Sequence, residues 1–289
     1  MDVVVPFAGS DDALEATLAR MQRLDLAPGD TFVVADNRVE QTAATLAPEH
    51  VRVVDAGGRG GSYFARNRGA EAGANEWIAF LDADTEPPPD LLATYFADPP
   101  ADQVGVLGGA VVDEAPSGAG STVAVRFAHR FELMSQNRTL ARPEFAYVQT
   151  ANCAVRRAAF EAVRGFDEGI RSGGDADLCF RIRAAGWQIE RREAARVTHR
   201  SRTSLRALLR QRARVGAGAR WLEERYPGFS PRRALHRTLA GDLRLIVRGL
   251  LEVARGRRDE GTTAAVQGLA DAAFQVGWRL RNDAGRPRR

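Results

Sequence analysis

The sequence predicts an α/β protein, with a mostly parallel sheet flanked by helices and a basic helical extension at its C-terminal end. Short branched apolar runs alternate with helical patterns through residues 1–81, and several of these runs end on aspartate. From Thr203 onward the pattern is helical throughout. Because runs that are apolar on both faces are typical of strands covered on both sides, their alternation with helices favours a doubly wound sheet.

The first part of the chain is predicted to hold four strands and three helices. The strands are expected at Val3–Phe7, Thr31–Asp36, Val51–Ala56 and Trp77–Asp82. The helices between them are expected at Asp11–Leu24, Val39–Leu46 and Ser62–Ala74. Ligands of such sheets bind beyond the carboxyl ends of the strands, so the residues at these ends are expected to share one edge: Pro6, Asp36, Asp55 and Asp82.

The alternation loosens after Pro89. Further strands are expected at Val104–Val112 and Phe145–Val155, with two short ones at Trp187–Arg192 and Ala194–His199. Further helices are expected at Val123–Asn137, at Arg157–Arg164 and from Gly174 to Gly186. Apolar residues at helical spacing predict the last of these helices, and glycine is a common helix stop.

Composition excludes several classes of protein. With 44% hydrophobic residues among 289, the chain can bury a sizeable core. Two cysteines, Cys153 and Cys179, give no disulfide framework, which fits a reducing compartment. The chain opens on a strand-like run without a leader, and no apolar run approaches the roughly 18 residues of a spanning helix, so we expect a cytoplasmic protein. All 41 basic residues are arginine, which excludes chemistry that needs a lysine.

Two aspartates, Asp82 and Asp84, follow the most apolar strand and precede three prolines. Residues two apart in an extended strand point to the same side, so both carboxylates can face one hard cation. Mg²⁺ and Mn²⁺ take oxygen ligands and keep substrate phosphates in their coordination shell. The alternative is a polar turn that caps the next helix through Thr85 or Asp90.

A glycine-rich stretch, "AGGRGGSYFARNRGA" at residues 56–70, leads into the third helix. Glycines let the backbone approach a ligand, and Ser62 can cap a helix whose N-terminus favours an anion. Arg66 and Arg68 add cations that suit phosphate. The stretch matches neither a Walker loop nor a GxGxxG fingerprint, and an ordinary surface loop is the alternative.

Asp175 and Asp177 lie in the first turn of a predicted helix, after a serine and two glycines. The helix dipole favours negative charge there, which explains both aspartates without any function. An aspartate at such a turn can instead act as general base on a sugar hydroxyl. His199, which ends a strand just before the basic region, is either structural or a neutral imidazole that completes a metal site with the aspartates.

Taken in order, these motifs resemble the family 2 glycosyltransferases, which have the GT-A fold. The motifs lie between Asp2 and about Leu209 and read "VVVPF", "VVADN", "ARNRGA", "FLDAD", "QTANCAVRRAAFEAVRGFDE" and "GGDADLCFRIRAAGW". The aspartate pair after an apolar strand is specific only in combination with the later segments. The resemblance implies a metal-dependent, inverting transfer of a sugar from a nucleotide-diphosphate donor to an acceptor hydroxyl.

The resemblance also implies residues that hold the donor nucleotide. Pro6 and Phe7 would line the base pocket. Asp36 would bond the base or its ribose, and Arg66 would lie near the base or the diphosphate. Asp82 looks like the first aspartate of the family's DxD motif and would face the ribose and the metal.

The metal and the reacting groups are implied in the same way. Asp84 would bind Mg²⁺ or Mn²⁺ most directly, and His199 is similar to a histidine that completes the metal shell in related enzymes. Asp175 falls at the position of the catalytic base. The residues expected on the side of the donor sugar and acceptor are Thr150, Asn152 and Asp177.

One departure from the family leaves the acceptor open. The family often has Glu-Asp where this chain has Gly174-Asp175, so the base is kept and its acidic neighbour is missing. The donor expected first is a UDP-sugar, with GDP- and dTDP-sugars open. The acceptor is expected to be a sugar or a lipid-linked molecule, in cell-envelope or surface polysaccharide or glycolipid synthesis.

Two other functions are weighed against this one. A nucleotidyltransferase would also use paired aspartates, but it should show a basic glycine-rich loop after the first strand, where this chain reads "PFAGSDDALE". A non-catalytic module that binds a nucleotide-sugar or a partner should have lost the metal pair or the base. Asp82, Asp84 and Asp175 are all present, which favours the enzyme.

The expected organisation is a GT-A catalytic domain at 1–202, with a nucleotide-binding half at 1–97 and an acceptor half at 98–202, followed by an arginine-rich helical region at 203–289. From Arg200 onward there are 21 arginines against eight acidic residues, a net charge of +13, so residues 1–199 carry −9. The basic helices either pack as a cap or contact an anionic membrane surface, which would make the protein peripheral at the inner face of the plasma membrane. They carry no nucleic-acid motif, and no nucleic acid is expected.

Overall fold

The structure, a computed structural model, describes residues 1–40, 42–117, 121–231 and 235–284, with residues 235–237 described by their backbone alone. Part of the predicted helix Val39–Leu46 and the terminal "GRPRR" run lie outside these residues. The chain forms two compact units. Unit 1 comprises Met1–Val112, Met134–Arg200 and Asp283–Arg289, and unit 2 comprises Asp113–Leu133 and Ser201–Asn282.

The described strands belong to one mixed sheet. They are β1 Asp2–Phe7, β2 Thr31–Asp36, β3 Val51–Asp55, β4 Trp77–Leu81, β5 Thr85–Glu86, β6 Val104–Asp113, β7 Asn152–Arg156 and β8 Gln188–His199. The helices of unit 1 are α1 Asp11–Met21, α2 Ala43–Leu46, α3 Ser62–Glu71, α4 Leu91–Tyr95, α6 Gln136–Leu140, α7 Arg157–Ala162 and α8 Gly174–Ala184, with a 3₁₀ turn at Pro143–Phe145. Those of unit 2 are α5 Val123–Arg130, α9 Leu205–Arg225, α10 Leu235–Ala254 and α11 Arg258–Gly277.

The sheet has the strand order β3-β2-β1-β4-β7-β6-β8-β5, and its first four strands are parallel. Phe7 lies opposite Asp36, and Asp36 lies opposite Asp55, so the ends of β1, β2 and β3 are level. β4 is buried along its whole length and pairs with the antiparallel β7 on its other side. This confirms the predicted α/β class and brings the carboxyl ends of the parallel strands to one edge.

The start of β1 is fixed by a buried ionic cluster. Asp2 is fully buried and accepts hydrogen bonds from Thr31 Oγ1, from Asn75 and from Arg157 Nη2, at 2.6–2.9 Å. A Cβ atom at Gly73 would overlap the Asp2 carboxylate. The cluster therefore ties together residues from β1, β2, the approach to β4 and the helix after β7.

A predicted helix and a predicted strand are shorter in the structure. The helix expected at Val123–Asn137 ends at Arg130, because the backbone turns at Glu132 with φ 45°, and a separate helix begins at Gln136. The strand expected from Phe145 begins only at Asn152. Before it, the side-chain oxygen of Gln136 accepts from the Gln149 backbone N–H at 2.8 Å, so a side chain takes the place of a neighbouring strand.

The two short strands predicted at Trp187–Arg192 and Ala194–His199 are one strand, β8, of 12 residues. Four consecutive charged residues, Glu190–Glu193, lie in the middle of this strand, and the strand continues through the exposed Glu193. β5 was not predicted. It is only two residues long, and its pairing with the end of β8 could not be read from local sequence.

Unit 2 is helical, and glycines bring its helices close together. Gly216 of α9 packs on the Phe274 carbonyl of α11, and Gly277 of α11 packs on Ala213. A Cβ atom at Gly249 of α10 would lie 2.5 Å from the Gly261 carbonyl oxygen of α11. α5 joins these helices through Ala124 and Phe127, which share a core with Leu208, Val266 and Ala270. No helix among the described residues is long and apolar enough to cross a membrane.

Candidate active site

The first part of the site is a turn that follows β4. The carbonyl of Asp82 accepts hydrogen bonds from the Thr85 backbone N–H at 3.1 Å and from Thr85 Oγ1 at 2.7 Å. Thr85, buried in β5, pairs directly with His199 at the end of β8. The pairing therefore brings His199 beside the turn that holds Asp84, although the two residues are 115 positions apart in the sequence (199 − 84).

Asp84 and His199 meet at this turn. The His199 Nε2 atom lies 3.5 Å from Asp84 Oδ2, and the Arg200 backbone N–H donates to the Asp84 carbonyl at 2.8 Å. The His199 side chain is buried, whereas the Asp84 side chain is half exposed. The arrangement leaves a carboxylate that faces outward and an imidazole held behind it.

The backbone between the two aspartates is held by α1. Arg20 Nη2 donates to the Ala83 carbonyl at 2.7 Å, and Thr17 Oγ1 lies 3.3 Å from the same oxygen. Burial lowers the pKa of Arg20, and nearby Arg200 lowers it further. Neither Thr17 nor Arg20 was identified from the sequence, because a threonine and an arginine three apart on an amphipathic helix carry no motif.

Asp82 faces the other way and pairs with Arg66 of α3. Arg66 is buried, its Nη2 donates to Asp82 Oδ1, and its guanidinium lies over the rings of Tyr63 and Phe166 at 5.7 and 5.9 Å. Burial by itself would lower the pKa of Arg66, but Asp82 and Asp175 raise it above the usual value. Its Nε is buried with no hydrogen-bond partner among the described residues.

Asp175 lies in the first turn of helix α8, and its charge interacts with that of Arg66. Gly173 precedes the helix in the left-handed conformation, with φ 87°, which glycine adopts without strain. Thr150 Oγ1 donates to Asp175 Oδ1 at 2.9 Å. Enclosure by the protein raises the pKa of Asp175 above 3.8, Arg66 opposes this, and Asp82 adds to it. The Asp175 carboxyl is therefore a stronger base than an ordinary aspartate.

Tyr63 fills the space beside Gly174. The Gly174 backbone N–H donates to the Tyr63 hydroxyl at 2.9 Å, and a Cβ atom at 174 would lie 2.6 Å from the ring. The ring also stacks on Phe166, with centroids 5.4 Å apart. The family's usual glutamate at this position would therefore collide with Tyr63, and sequence alone gave no sign of this pairing.

At the end of β2, Asp36 is fully buried and holds Arg38. Its two carboxylate oxygens accept from Arg38 Nε at 2.8 Å and from Nη2 at 2.9 Å. Burial alone would raise the pKa of Asp36, but the hydrogen bonds from Arg38 and Ala43 hold it below the ordinary value. The Arg38 guanidinium lies 5.2 Å from the centre of the Phe7 ring, and Pro6 is partly buried beside it in the chain.

Two of the predicted site residues are inside the protein. Asn152 is fully buried, and its amide group bonds the Tyr95 hydroxyl at 2.6 Å and the carbonyls of Ala110 and Ala195. Asp177 is also buried and pairs with Arg181 at 2.8 Å, one turn later in α8. Both side chains serve packing, and neither is presented to a bound sugar. Thr150 differs, since its hydroxyl is held on Asp175.

The predicted metal set was Asp82, Asp84 and His199. Within the described ranges, no three His, Cys, Asp or Glu side chains are grouped so that they could hold a metal ion. The reason is that Asp82 turns to Arg66 while Asp84 and His199 come together. A carboxylate and an imidazole fit Mn²⁺ or Mg²⁺ when the remaining positions come from phosphate oxygens and water.

Comparison with known proteins identifies the family. The family described as "Glycosyltransferase like family 2" matches residues 1–218. The chain belongs to this family, as its motifs indicated. Its fold is that of a GT-A glycosyltransferase.

Among curated proteins, the chain is 32% identical over 168 residues to a pre-mycofactocin glycosyltransferase of Mycobacterium tuberculosis. The matched stretch covers 56% of this chain and 35% of that protein. It is 31% identical over 158 residues to the glycosyltransferase AglE of Haloferax volcanii, covering 55% of this chain and 50% of that one. The match thus spans half or less of the length of these relatives.

Solved structures share the fold. The mannosyltransferase PcManGT of Pyrobaculum calidifontis, in complex with GDP-Man and Mn²⁺, superposes with a TM-score of 0.61 at 18% identity, over 96% of this chain and 86% of that one. Glucosyl-3-phosphoglycerate synthase of Mycobacterium tuberculosis, with Mn²⁺, UDP-glucose and glycerol 3-phosphate, gives 0.54 at 16% identity, over 78% and 79%. Similarity at this level of identity shows the fold alone.

Proposed function

We propose that this protein is a metal-dependent, inverting glycosyltransferase that moves a sugar from a nucleotide-diphosphate donor to an acceptor hydroxyl. The observation that carries the proposal is the buried Arg66, which is ion-paired with Asp82 of the turn after β4 and whose charge also interacts with that of Asp175 in α8. A buried cation that acts on both of these carboxylates suits a reaction in which a diphosphate leaves as a hydroxyl attacks.

Asp175 is the proposed general base. Its raised pKa makes the ionised carboxylate a stronger proton acceptor than an ordinary aspartate. Hydrogen bonds from Thr150, one of them from its hydroxyl to Asp175 Oδ1 at 2.9 Å, hold the carboxylate in place for an incoming hydroxyl. Inversion follows if the acceptor oxygen is aligned behind the anomeric carbon, opposite the leaving diphosphate.

The nucleotide is proposed to lie along the carboxyl ends of β1 and β2. Pro6, which is only partly buried, offers an apolar surface for the base, and the predicted Phe7 lies next to it inside the core, 3% exposed. Arg38, which Asp36 holds over Phe7, offers a donor near the base or ribose. Asp36 is proposed to act on the nucleotide through Arg38, because its carboxylate oxygens already accept hydrogen bonds from Arg38 and from the Ala43 backbone N–H.

The metal is proposed to be held by Asp84 and His199, with Asp82 close to it on the Arg66 side. A bound Mn²⁺ or Mg²⁺ would supply positive charge to the diphosphate as it leaves. Arg20 fixes the carbonyl between the two aspartates and so sets their orientation. The Mn²⁺ complexes of PcManGT and of the synthase support a divalent ion here by likeness of fold.

The donor and acceptor are proposed by class only. UDP-glucose and GDP-mannose occur in the two structural neighbours, so a UDP-sugar or a GDP-sugar is the donor to test first. The acceptor is proposed to be a sugar or a lipid-linked molecule in envelope or surface glycan synthesis, handled in the cytoplasm or at its membrane face.

The test is calorimetric titration of UDP, GDP and dTDP, each with and without Mn²⁺, on the wild type and two variants. The expected result is that one nucleotide binds tightly with metal, that Asp84→Ala loses the metal-dependent part, and that Asp175→Asn retains binding. Hydrolysis or transfer of the matching nucleotide-sugar should then fall in Asp175→Asn by about 10²–10⁴-fold.

The control is Asp98→Asn, which makes the same substitution at a side chain that is 92% exposed. If no nucleotide binds with or without metal, the transferase proposal fails. Equal loss of binding in Asp84→Ala and Asp175→Asn would overturn the division of roles. Incorporation of a nucleoside monophosphate into product would favour the nucleotidyltransferase, and binding without any turnover would favour the non-catalytic module.

A further inference from the structure

Four of the exposed large apolar side chains in the described part of unit 2 lie on α10. Leu243, Val247, Leu250 and Leu251 are exposed by 60, 47, 60 and 50%. Val247, Leu250 and Leu251 follow Leu243 by four, seven and eight positions. On a helix of 3.6 residues per turn, this spacing places all four side chains in one stripe. Single exposed leucines are ordinary, whereas a continuous stripe of this kind marks an interaction surface.

The opposite face of α10 is already packed inside unit 2. Gly249 lies against Gly261 and Ala265 of α11, and Asp242 is buried with its carbonyl against Gly268. These contacts fix the rotation of the helix about its axis. The stripe therefore faces outward because of helix packing, and not because the helix is loosely attached.

Arginines run along one flank of the stripe. Arg244 and Arg248 are exposed, follow Leu243 and Val247 by one position each, and are one turn apart. No ion pair of either is found in the described part of the chain. Arg255 continues the row two turns further and is exposed, although it is paired with Glu252. The flank is thus cationic beside an apolar stripe.

We propose that α10 docks the protein on an anionic lipid surface, with the leucine stripe in the headgroup–acyl boundary and the arginines on lipid phosphates. A membrane surface offers both chemistries side by side at the depth that an in-plane helix needs. Guanidinium groups pair with phosphate in a bidentate manner, and the net charge of +13 from residue 200 onward adds long-range attraction. A nucleic acid would use the arginines but leave the leucines in water.

A surface-lying helix also agrees with the length and polarity of α10. It has 20 residues, yet no helix of the described chain is apolar enough to span a bilayer. The proposal concerns binding only and does not depend on transfer activity. Were the protein a transferase as proposed above, docking would bring it to lipid-linked acceptors.

The experiment is co-sedimentation of the whole chain, without nucleotide, with phosphatidylcholine vesicles and with vesicles that also contain phosphatidylglycerol. We expect binding to the anionic vesicles only, and weaker binding as salt increases. Leu243→Ser/Leu250→Ser should reduce partitioning by at least about tenfold, since each leucine loses its burial in the boundary. Arg244→Gln/Arg248→Gln should reduce it by roughly tenfold as well.

Matched variants separate this surface from general effects. Leu26→Ser/Leu280→Ser removes two leucines that are exposed by 38 and 53% and lie off α10, and Arg23→Gln/Arg196→Gln removes two exposed charges of unit 1. Both should bind like the wild type. All four variants should keep the wild-type melting temperature, because the substituted side chains are exposed.

The proposal is overturned if the wild type binds neither kind of vesicle, or if the α10 variants bind as well as their controls. It is also overturned if sedimentation velocity shows a wild-type dimer that Leu243→Ser/Leu250→Ser converts to monomer, since a second copy would then cover the stripe. Because nucleotide is absent throughout, these outcomes are independent of those of the calorimetric test.

Discussion

Position 174 shows how one side chain constrains another in this protein. Tyr63 bonds the Gly174 N–H, stacks on Phe166 and lies under Arg66, which in turn pairs with Asp82. The ring therefore connects the start of α8 to the aspartate turn after β4. Glycine at position 174 permits this contact, because any side chain there would collide with the Tyr63 ring. The glutamate that the family often has before the aspartate is therefore absent here.

Replacement of Gly174 by alanine should displace the start of α8 and with it Asp175. A new Cβ at 2.6 Å from the Tyr63 ring forces a shift of several tenths of an ångström or more. We expect kcat to fall by about 10²-fold, because misplacement of a reacting group by about 1 Å costs that much. Nucleotide affinity, measured by calorimetry, should stay near the wild-type value.

The matched control for this prediction is Gly241→Ala. A Cβ atom there meets nothing within 4 Å, so the substitution should leave activity unchanged and stabilise α10 slightly, by about 0.5–1 kcal/mol. Equal activity of Gly174→Ala and Gly241→Ala would show that Tyr63 does not fix the base.

The environment of Asp175 predicts the pH dependence of transfer. Since the base must be ionised, kcat should fall as the pH decreases through a pKa that lies above 3.8. The Thr150 hydrogen bond favours the ionised form, so Thr150→Val should move this acid limb to higher pH. A pH–rate profile of both proteins tests this, and an unchanged limb in Thr150→Val would contradict it.

At the scale of elements, buried polar side chains link strands of the sheet through hydrogen bonds to neighbouring side chains and backbone carbonyls. Asn152 of β7 satisfies Tyr95 and two carbonyls, one from β6 and one from β8. Asp2 does the same at the start of β1, where it bonds Thr31, Asn75 and Arg157. The sequence marked Asn152 as a site residue because of the motif around it, whereas its burial makes it part of the sheet.

Asp2→Ala should destabilise unit 1 by about 3–5 kcal/mol, because the mostly buried Arg157 loses the buried carboxylate that it contacts at 2.6 Å and retains the backbone carbonyls of Ala70 and Asn75. Burial alone would raise the pKa of Asp2, but its hydrogen bonds hold the pKa below 3.8. The stability from a lowered carboxyl pKa is present above the unfolded value, about 3.9, and is lost as the pH falls through the folded value.

Chemical denaturation of wild type and Asp2→Ala across pH 7 to 3 measures this. The difference between their free energies of unfolding should be largest near neutral pH and should shrink below about pH 4. Asp98→Asn, at an exposed side chain, should match the wild type at every pH. A difference that does not change with pH would mean that packing, and not charge, explains the loss.

At the scale of the whole molecule, unit 2 is assembled from two separated stretches of chain. Helix α5, which the sequence places inside the predicted catalytic domain at 1–202, shares its core with α9 and α11. The proposed division at residue 202 therefore cuts through unit 2. Ala124 and Phe127 share their buried core with Leu208, Val266 and Ala270, which all lie after residue 202.

A fragment of residues 1–202 should consequently expose the apolar face of α5. We expect it to bind a hydrophobic dye and to aggregate at concentrations at which the whole chain is monodisperse. Light scattering and dye fluorescence measure this. A fragment that stays monomeric and melts at the wild-type temperature would instead support an independent domain that ends at residue 202.

The sequence by itself determined the α/β class, the four parallel strands, the family and the position of Asp82, Asp84 and Asp175. Each of these follows from local patterns, namely runs of branched apolar residues, strand ends and short motifs. The tertiary structure decided which side chains the carboxylates contact. It turned Asp82 to Arg66, paired Asp84 with His199 through β5, and placed Tyr63 beside Gly174.

These contacts join residues that are 16, 115 and 111 positions apart, by the differences 82 − 66, 199 − 84 and 174 − 63. No local pattern carries such pairings, because the side-chain directions depend on sheet order and on how helices cross the sheet. The same holds for α10. The sequence showed arginines mixed with leucines, and only the packing of Gly249 on α11 decided which of these residues face outward.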